Sequence, residues 1–503
     1  MNMLCVTRSH WFALFLFALQ FSAGAALAEV KPATLFSDHM VLQSGMSVPI
    51  WGTASPGEQV TVTLTGQKRT AATSAAGKWM VRLTNLEAGG PFEMTIAGTN
   101  TITIQDVLVG EVWIGSGQSN MGFALSTVLN AEQEVAAANY PKIRMFTGRA
   151  RGNYEPQSSV EGQWQVCSPE TAPRFSAVGY LFARDLQKEL NVPVGILTLA
   201  AGGSTAEAWI PREAMAADPL LKPMLDKLDA AVKFFRTNPK APASEAPPPP
   251  QVINARPSAP PAQQRDPVPD QHQPMVLFNG VINPAIPFAI RGVIWYQGES
   301  IVGGDAGVTL YPHVMNTLVT TWRKLWGEGD FPFYVVQLPG QDNISNNPRV
   351  REGQAAVLQL PNTGMAVIID TGEIHNVHPR NKGPVGDRLM RIALANAYHR
   401  DVEYSGPVYE SMTIEGSTIR LKFSHLGGGL VAKDGPLKWF QIAGADRKFL
   451  DAQAKIDGDT IVVGRPDIVV PQAVRYAWDN WVEGCNLFNA AGLPASPFRT
   501  DKW

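Results

Sequence analysis

The sequence has few charged residues, no basic run and, after its N-terminal segment, no long hydrophobic run. Charged residues make up 17% of the 503 residues, and the formal net charge is −2. A nucleic-acid binder of this size normally shows a basic face or run, so no nucleic-acid partner is expected. No segment after residue 28 approaches about 18 consecutive apolar residues. We therefore expect no membrane anchor.

Cysteine is also scarce, with three in the whole chain. Cys5 lies in a leader-like segment, which leaves Cys167 and Cys485 in the remainder. In an oxidising compartment these two form one disulfide; otherwise they are two buried free thiols. Both alternatives remain open at this point.

The N-terminus has the pattern of a secretory signal peptide. Arg8 precedes an apolar stretch at residues 11–21, and Ala26, Leu27 and Ala28 form an A-x-A cleavage site. We predict that residues 1–28 are a signal peptide cleaved after Ala28. The expected location is periplasmic or secreted.

In the rest of the chain, the pattern of apolar and polar residues changes twice. Residues 29–105 alternate apolar and polar positions between turn signals, which predicts a β-sandwich-like module. Residues 106–403 carry compact apolar runs separated by helical stretches, typical of an α/β fold with a mostly parallel sheet. Residues 404–503 return to β character. The compact runs are residues 107–114, 194–200, 292–296, 333–338 and 365–370.

An insertion interrupts the α/β pattern at about residues 238–273. It is rich in Pro, Ala and Gln and too poor in apolar residues to form a core element. We predict an exposed, mobile segment, with a role as a lid or partner arm left open.

Small, polar and ionisable residues follow four of the apolar runs. In an open α/β sheet, ligands bind beyond the carboxyl ends of the strands, so these segments are expected to meet. They contain Gln118, Ser119 and Asn120 after the first run, Gly202 and Gly203 after the second, Gln297 and Glu299 after the third, and His375, Asn376 and His378 after the last.

These residue types suit acyl transfer, which needs a hydroxyl, an imidazole base and donors for an oxyanion. Ser119 supplies the hydroxyl, and His375 and His378 are the candidate bases. The backbone N–H groups near Ser119 and Gly203 and the side-chain amide of Gln297 are the candidate oxyanion donors. Taken singly, each segment could be a turn or a helix start. The two histidines could instead bind a metal, but no further ligand cluster stands near them, so no metal is predicted.

Five segments in the same order resemble the sialate O-acetylesterase family, a group of SGNH-hydrolase-like carbohydrate esterases. The resemblance runs from about residue 35 to the C-terminus, without the insertion. The segments are DVLVGEVWIGSGQSNM, GGSTAEAW, NGVINPAIPFAIRGVIWYQGES, HNVHPRNKGPVGDRL and NLFNAAGLPASPFRTD.

The resemblance implies a flavodoxin-like SGNH-hydrolase domain that removes O-acetyl groups from sugars without metal or cofactor. It makes Ser119 the nucleophile and His378 the base, and it leaves His375 outside the motif as a structural or substrate-facing residue. Gln118, Asn120, Gly202 and Glu299 are expected to support the site or contact substrate. Met121 replaces the second glycine of G-x-S-x-G, which argues against an α/β-hydrolase nucleophile elbow.

The sequence departs from the family at one position. The family usually has an aspartate two residues before the histidine, where this chain has Asn376. An amide can orient the imidazole but cannot stabilise an imidazolium by charge. Either Asn376 orients His378, or a carboxylate of Asp370, Glu373 or Glu299 takes the role.

The substrate class stays open between two acetylated carbohydrates. O-acetylated sialic acid would favour an arginine near the pocket, whereas acetylated xyloglucan or xylan would favour aromatic platforms. The 13 tryptophans lean slightly toward plant polysaccharide. An alternative from another class is a catalytically inactive carbohydrate-binding protein, with Asn376 as the sign of lost activity.

Overall fold

The computed structural model describes residues 29–253, 265–342 and 345–503. The predicted signal peptide and Cys5 lie outside these ranges. Within them, no helix has the length and apolar content needed to cross a bilayer.

The N-terminal region is built from short, mostly antiparallel strands. Strands such as Gln59–Leu64 and Lys78–Leu83 alternate a buried apolar face with a more exposed face, the pattern of a half-buried sheet. The strands are β1 (Lys31–Pro32), β2 (Val41–Gln43), β3 (Val48–Thr53), β4 (Gln59–Leu64), β5 (Gln67–Ala72), β6 (Lys78–Leu83), β7 (Gly89–Ala97) and β8 (Thr101–Gly117).

Strand β8 belongs to two layers. Its first half pairs antiparallel with β7, and its second half forms the middle of the central sheet. The predicted division between residues 105 and 106 therefore falls inside a continuous strand.

The central sheet is parallel except at one edge, in the order β10-β9-β11-β8-β13-β15-β16. Only the β9–β10 pair along this path is antiparallel. The compact apolar runs form its inner strands because strands covered on both faces need apolar residues at every position. The strands that follow β8 are β9 (Tyr140–Thr147), β10 (Trp164–Cys167), β11 (Val194–Ala200), β12 (Val252–Ile253), β13 (Gly292–Tyr296), β14 (Ile301–Val302), β15 (Phe333–Val336) and β16 (Thr363–Ala366).

Helices cover both faces of this sheet. Trp113 of β8 is the register partner of Gly292, so Trp295, three residues later on β13, lies on the opposite face. Trp113 contacts the ring of Phe182, and Trp295 contacts Trp322. The helices are α1 (Ala131–Ala136), α2 (Ala177–Leu190), α3 (Arg212–Ala217), α4 (Lys222–Thr237), α5 (Gly304–Trp326), α6 (Asn347–Ala355) and α7 (Gly383–Asn396).

The C-terminal region is β-rich and has a hydrophobic core of its own. Two four-stranded antiparallel sheets, β17-β18-β23-β22 and β21-β20-β24-β26, enclose residues such as Ile419, Ile442 and Val474. The strands are β17 (Val408–Glu415), β18 (Thr418–Ser424), β19 (Leu430–Ala432), β20 (Phe440–Ala443), β21 (Leu450–Asp451), β22 (Gln453–Asp457), β23 (Thr460–Gly464), β24 (Ala473–Tyr476), β25 (Leu487–Asn489) and β26 (Phe498–Arg499). The predicted fold class, a mostly parallel α/β core flanked by β-rich regions, is confirmed.

The insertion is held by backbone contacts where the structure describes it. Strand β12 pairs antiparallel with β14, and the N–H of Gly303 donates to Gln251 O at 2.7 Å. Farther along, the side chain of Gln273 is buried. The predicted exposure holds for most of the described residues of the insertion and is wrong for Gln273, and the mobility of the segment stays a prediction. Residues 254–264 lie outside the described residues.

Both remaining cysteines are free and buried. Cys167 donates to Ala138 O at 3.6 Å, and the Cys485 sulfur lies 2.9 Å from the hydroxyl of Tyr476. Burial raises the pKa of Cys167 to about 12 and that of Cys485 to about 11. Of the two alternatives, the structure contains free thiols, and these stay protonated at neutral pH.

Candidate active site

Three parallel strands end at the same level of the central sheet. Ala200 at the end of β11 and Tyr296 at the end of β13 are both register partners of Gly117 at the end of β8. The loops that carry Ser119, Gly202 and Gln297 therefore start side by side, as the strand-end argument predicted.

The loop after β8 needs glycine at its first position. Gly117 has φ +124°, and a Cβ there would lie 2.2 Å from Tyr296 O, so no other residue fits. The N–H groups of Met121 and Gly122 then donate to Gln118 O at 3.0 and 3.1 Å. This closes a tight turn that contains Ser119.

Ser119 and His378 meet across the site. The Nε2 of His378 lies 2.7 Å from Ser119 Oγ, although 259 positions separate the two residues. Phe123, from the loop of Ser119, stacks on the imidazole with ring centroids 6.1 Å apart. A hydroxyl within hydrogen-bond distance of an imidazole is the geometry of an activated nucleophile.

The side chain of Asn376 holds the main chain of His378. Its Oδ1 accepts from His378 N at 3.0 Å, and its Nδ2 donates to His378 O at 2.9 Å and to Glu373 Oε2 at 3.1 Å. An amide that oriented the imidazole would contact a ring nitrogen. These contacts instead fix the peptide that carries the imidazole, and both amide hydrogens are used.

Two other carboxylates of this loop have their own partners. Asp370 forms a two-fold ion pair with Arg388, with distances of 2.6 and 2.7 Å. Glu373 accepts from Asn376 and from the backbone N–H of Arg380, which with the nearby guanidinium lowers the pKa of its carboxyl against the opposing effect of burial. Both carboxylates therefore hold the loop together through these contacts.

The glycine pair after β11 lies against the nucleophile. A Cβ on Gly202 would sit 3.8 Å from Ser119 Cβ, and Gly203 has φ +70°. Among the described residues, neither the N–H of Ser119 nor that of Gly203 donates to another group. Two backbone donors are thus available beside the hydroxyl.

The Gln297 amide is not placed as the expected oxyanion donor. Its Nε2 donates to Ser204 O at 3.2 Å and to Ser300 O at 2.8 Å, and its Oε1 accepts from the Tyr311 hydroxyl at 2.9 Å. Its side chain is completely buried. Gln297 therefore joins the glycine loop to the loop after β13. Its amide hydrogens are used by two backbone carbonyls, whose positions the sequence does not show.

Behind the nucleophile, three buried polar side chains contact one another. Lys382 Nζ donates to Asn120 Oδ1, and Asn120 Nδ2 donates both to Glu299 Oε1 and, at 2.8 Å, to Val377 O. Burial raises the pKa of Glu299 and lowers that of Lys382 to about 7. Asn120 and Glu299, predicted as supporting residues, thus lie within this group. Gln118, also buried, accepts from the N–H of Gly298 at 3.4 Å.

His375 lies away from the reacting pair. It is largely exposed, and its Nδ1 lies 2.7 Å from Asp342 Oδ2. Across residues 29–253, 265–342 and 345–503, no three His, Cys, Asp or Glu side chains group as metal ligands.

A cleft of about 390 Å³ opens beside Gly202. One wall comes from the segment after β9, with Arg149 and Arg151, and the other from the end of the insertion, with Pro269 and Gln271. Arg149 Nη1 lies 3.4 Å from Glu161 Oε2, whereas Arg151 forms no ion pair within the described part of the chain. Arg151 and Gly202 thus line the same cleft, and Gly202 is the residue that lies against Ser119.

Sequence reasoning missed four residues of this region: Lys382, Phe123, Arg149 and Arg151. Lys382 falls inside a quoted motif and Phe123 lies two residues after another, but nothing in a single sequence marks them as packed against the reacting pair. The two arginines lie between β9 and β10. This segment does not follow any of the apolar runs from which the sheet was predicted, so nothing in the sequence indicated that it would lie at the site.

Comparisons with known proteins place the chain in a family. Residues 277–393 match the model of the family described as carbohydrate esterase, sialic acid-specific acetylesterase. The chain is 30% identical to sialate O-acetylesterase of Mus musculus, covering 93% of each chain, and 29% identical to that of Homo sapiens, covering 93% of this chain and 91% of the relative. A crystal structure of a carbohydrate acetylesterase from Xanthomonas citri superposes with a TM-score of 0.81 at 34% identity, covering 94% of this chain and all of the other.

Proposed function

Since this chain belongs to the sialate O-acetylesterase family and is a carbohydrate O-acetylesterase, we propose that it works as a serine esterase on an acidic acetylated sugar. The contact between Ser119 Oγ and His378 Nε2 carries the mechanism. Ser119 Oγ attacks the acetyl carbonyl, and its proton passes to His378 Nε2. The protonated imidazole returns that proton to the sugar oxygen as the C–O bond breaks, leaving an acetyl-enzyme.

In the second half-reaction, His378 Nε2 takes a proton from water as the water oxygen attacks the acetyl carbon. The bond between that carbon and Ser119 Oγ then breaks, His378 returns the proton to Ser119 Oγ, and acetate leaves. The backbone N–H groups of Ser119 and Gly203 stabilise the oxyanion of each tetrahedral intermediate. They suit this role because neither has another acceptor in the described residues. The Gln297 amide is not needed in this scheme.

The cleft favours a sugar that carries a carboxylate, such as O-acetylated sialic acid. Arg149 and Arg151 line it, and a guanidinium forms strong two-fold hydrogen bonds with a carboxylate. Seven of the tryptophans that had suggested a neutral polysaccharide are instead buried in the core: Trp79, Trp113, Trp164, Trp209, Trp295, Trp322 and Trp326. They cannot act as sugar platforms.

We also propose that the enzyme acts in the periplasm or outside the cell, on the basis of the predicted signal peptide. Acetylated glycans of the cell surface and its surroundings would be accessible there.

The test compares acetate release from O-acetylated sialic acid, from its carboxylate methyl ester and from acetylated xylan. The two sialic acid substrates have the same acetyl groups and differ in charge. We expect kcat/KM to be at least about tenfold higher for the acid, the effect of one charge-assisted contact. Equal values for acid and ester would reject the acidic substrate, and faster release from xylan would favour a neutral one. An absence of acetate release from every substrate would favour the inactive binding protein.

A further inference from the structure

A buried lysine stands behind the reacting pair with no part in the proposed chemistry. Lys382 is 1% exposed, and its two partners in series, Asn120 and Glu299, are 0% and 3% exposed. Removing an ammonium from water is costly unless it is well paired. The contacts of this lysine must therefore offset the cost of burying its ammonium.

The first contact of Lys382 leads to both reacting residues. Its Nζ donates to Oδ1 of Asn120, the residue directly after Ser119. The Nδ2 of the same amide donates at 2.8 Å to the carbonyl of Val377, the residue directly before His378. One amide thus joins the nucleophile loop to the base loop, and the lysine fixes the rotation of that amide.

A second contact reaches the imidazole by a separate route. The Lys382 ammonium lies 4.9 Å from the ring centroid of Phe123 and 5.1 Å from that of Tyr296. Phe123 in turn stacks on the imidazole of His378. A cation over an aromatic face is attractive, more so when it is desolvated, so Lys382 also holds the ring against which His378 rests.

We propose that Lys382 is a positioning residue that sets the distance and angle between Ser119 Oγ and His378 Nε2, acting through Asn120 and Phe123. This inference rests on the proposed serine mechanism. A neutral amine also donates hydrogen bonds, so the contact with Asn120 persists although burial lowers the pKa of Lys382 to about 7. The contact with the aromatic rings weakens on deprotonation.

The test uses Lys382→Met and Lys382→Gln with p-nitrophenyl acetate, a substrate that does not need the sugar cleft. Methionine keeps an unbranched side chain, one atom shorter, but removes the donors, whereas glutamine keeps a donor without the charge. We expect Lys382→Met to lower kcat about 30-fold with KM changed less than about threefold, since small misplacements of reacting groups are costly. Lys382→Gln should recover part of that loss.

Arg323→Met is the matched control. Arg323 is also a buried cation at 5% exposure, but it donates to Phe331 O and Pro361 O, just before the amino ends of β15 and β16 and away from the site. Its loss should lower the melting temperature and leave kcat per folded molecule unchanged. The near-UV circular dichroism signal measures the fraction of folded enzyme in each preparation, and it applies to Ser119→Ala as well because it does not depend on the serine.

Ser119→Ala is assayed alongside to separate the two hypotheses. If Ser119→Ala is inactive while both lysine variants keep the wild-type kcat per folded molecule, the positioning role is wrong and the serine mechanism stands. If Ser119→Ala retains activity, the serine mechanism itself is wrong. If Lys382→Met does not fold, a wild-type kcat in Lys382→Gln overturns the role and a reduced kcat with unchanged KM supports it.

Discussion

The rear and the front of the candidate site are built in opposite ways. At the rear, Asn120, Gln297, Glu299 and Lys382 are all at most 3% exposed and are joined by hydrogen bonds to one another or to the main chain. At the front, the arginines of the cleft are exposed, and Arg151 has no ionic partner in the described residues. We infer that the chemistry depends on fixed geometry, whereas recognition of the sugar depends on side chains that can vary without disturbing it.

The two parts also come from different kinds of segment. The residues of the rear lie in the loops that follow β8, β11, β13 and β16. These strands end at the same level of the sheet, and this brings the loops together. The front comes from the segment after β9 and from the last residues of the insertion, which carry no comparable constraint. Substitutions at the rear should therefore change kcat, and substitutions at the front should change KM for one class of sugar.

The largest effect is expected from the nucleophile. Ser119→Ala should lower kcat at least about 1,000-fold, because the residues of such a site act as a unit. Ser116→Ala is the control, since Ser116 lies on the same strand end but donates to Leu199 O at 2.6 Å. Its effect on kcat for p-nitrophenyl acetate should be small. Near-normal turnover in Ser119→Ala would mean that the chemistry takes place elsewhere, so the rear could not be assigned to catalysis and the front to recognition.

The next effect separates recognition from chemistry. Arg151→Met should lower kcat/KM for O-acetylated sialic acid about tenfold, the value of one charged hydrogen bond, mainly through KM. It should leave the methyl ester and p-nitrophenyl acetate unchanged. Arg69→Met, an exposed arginine on β5, serves as the control. An equal loss on all three substrates would mean that Arg151 affects the chemistry and not the recognition of the carboxylate.

Much of the rear could be predicted from the sequence, and little of the front. The four strand ends were visible as apolar runs followed by polar residues, and a parallel sheet must bring such ends together. The partners within the site were not visible, because they depend on three-dimensional distances. Gln297 was expected to face the oxyanion, but the carbonyls of Ser204 and Ser300 lie closer to its amide. The exposure of most of the insertion could be predicted from its composition, but its backbone pairing with β14 could not, because composition says nothing of backbone pairing.

A smaller effect is expected at Asn376. Since its Nδ2 donates to Glu373 Oε2 and His378 O, Asn376→Asp places a carboxylate against two oxygen acceptors. We expect kcat to fall a few-fold, the scale of about 1 kcal/mol between partly exposed like charges. Adding Glu373→Gln should restore the loss by supplying a donor. A rise in kcat for Asn376→Asp alone would show instead that charge beside the imidazole outweighs this repulsion.

The smallest effect concerns Glu207, an exception to the pairing at the rear. This residue follows the glycine loop and is 3% exposed, and its Oε2 has no hydrogen-bond partner among the described residues. Burial raises its pKa from 4.5 to about 7. The folded state therefore holds this proton more tightly than the unfolded state does. The stability that Glu207 contributes is full below about pH 4.5 and is lost as pH rises through about 7.

Glu207→Gln removes this dependence, because an amide stays neutral at every pH. The variant should melt higher than wild type at pH 8, by roughly 2–4 °C for each kcal/mol recovered, with little gain at pH 5. Glu213→Gln on α3 is the control, since that carboxylate is exposed and should show no such difference. If the Glu207→Gln gain were the same at both pH values, the carboxylate would not be titrating in the folded protein. The pH dependence that Glu207 gives to the rear of the site would then be absent.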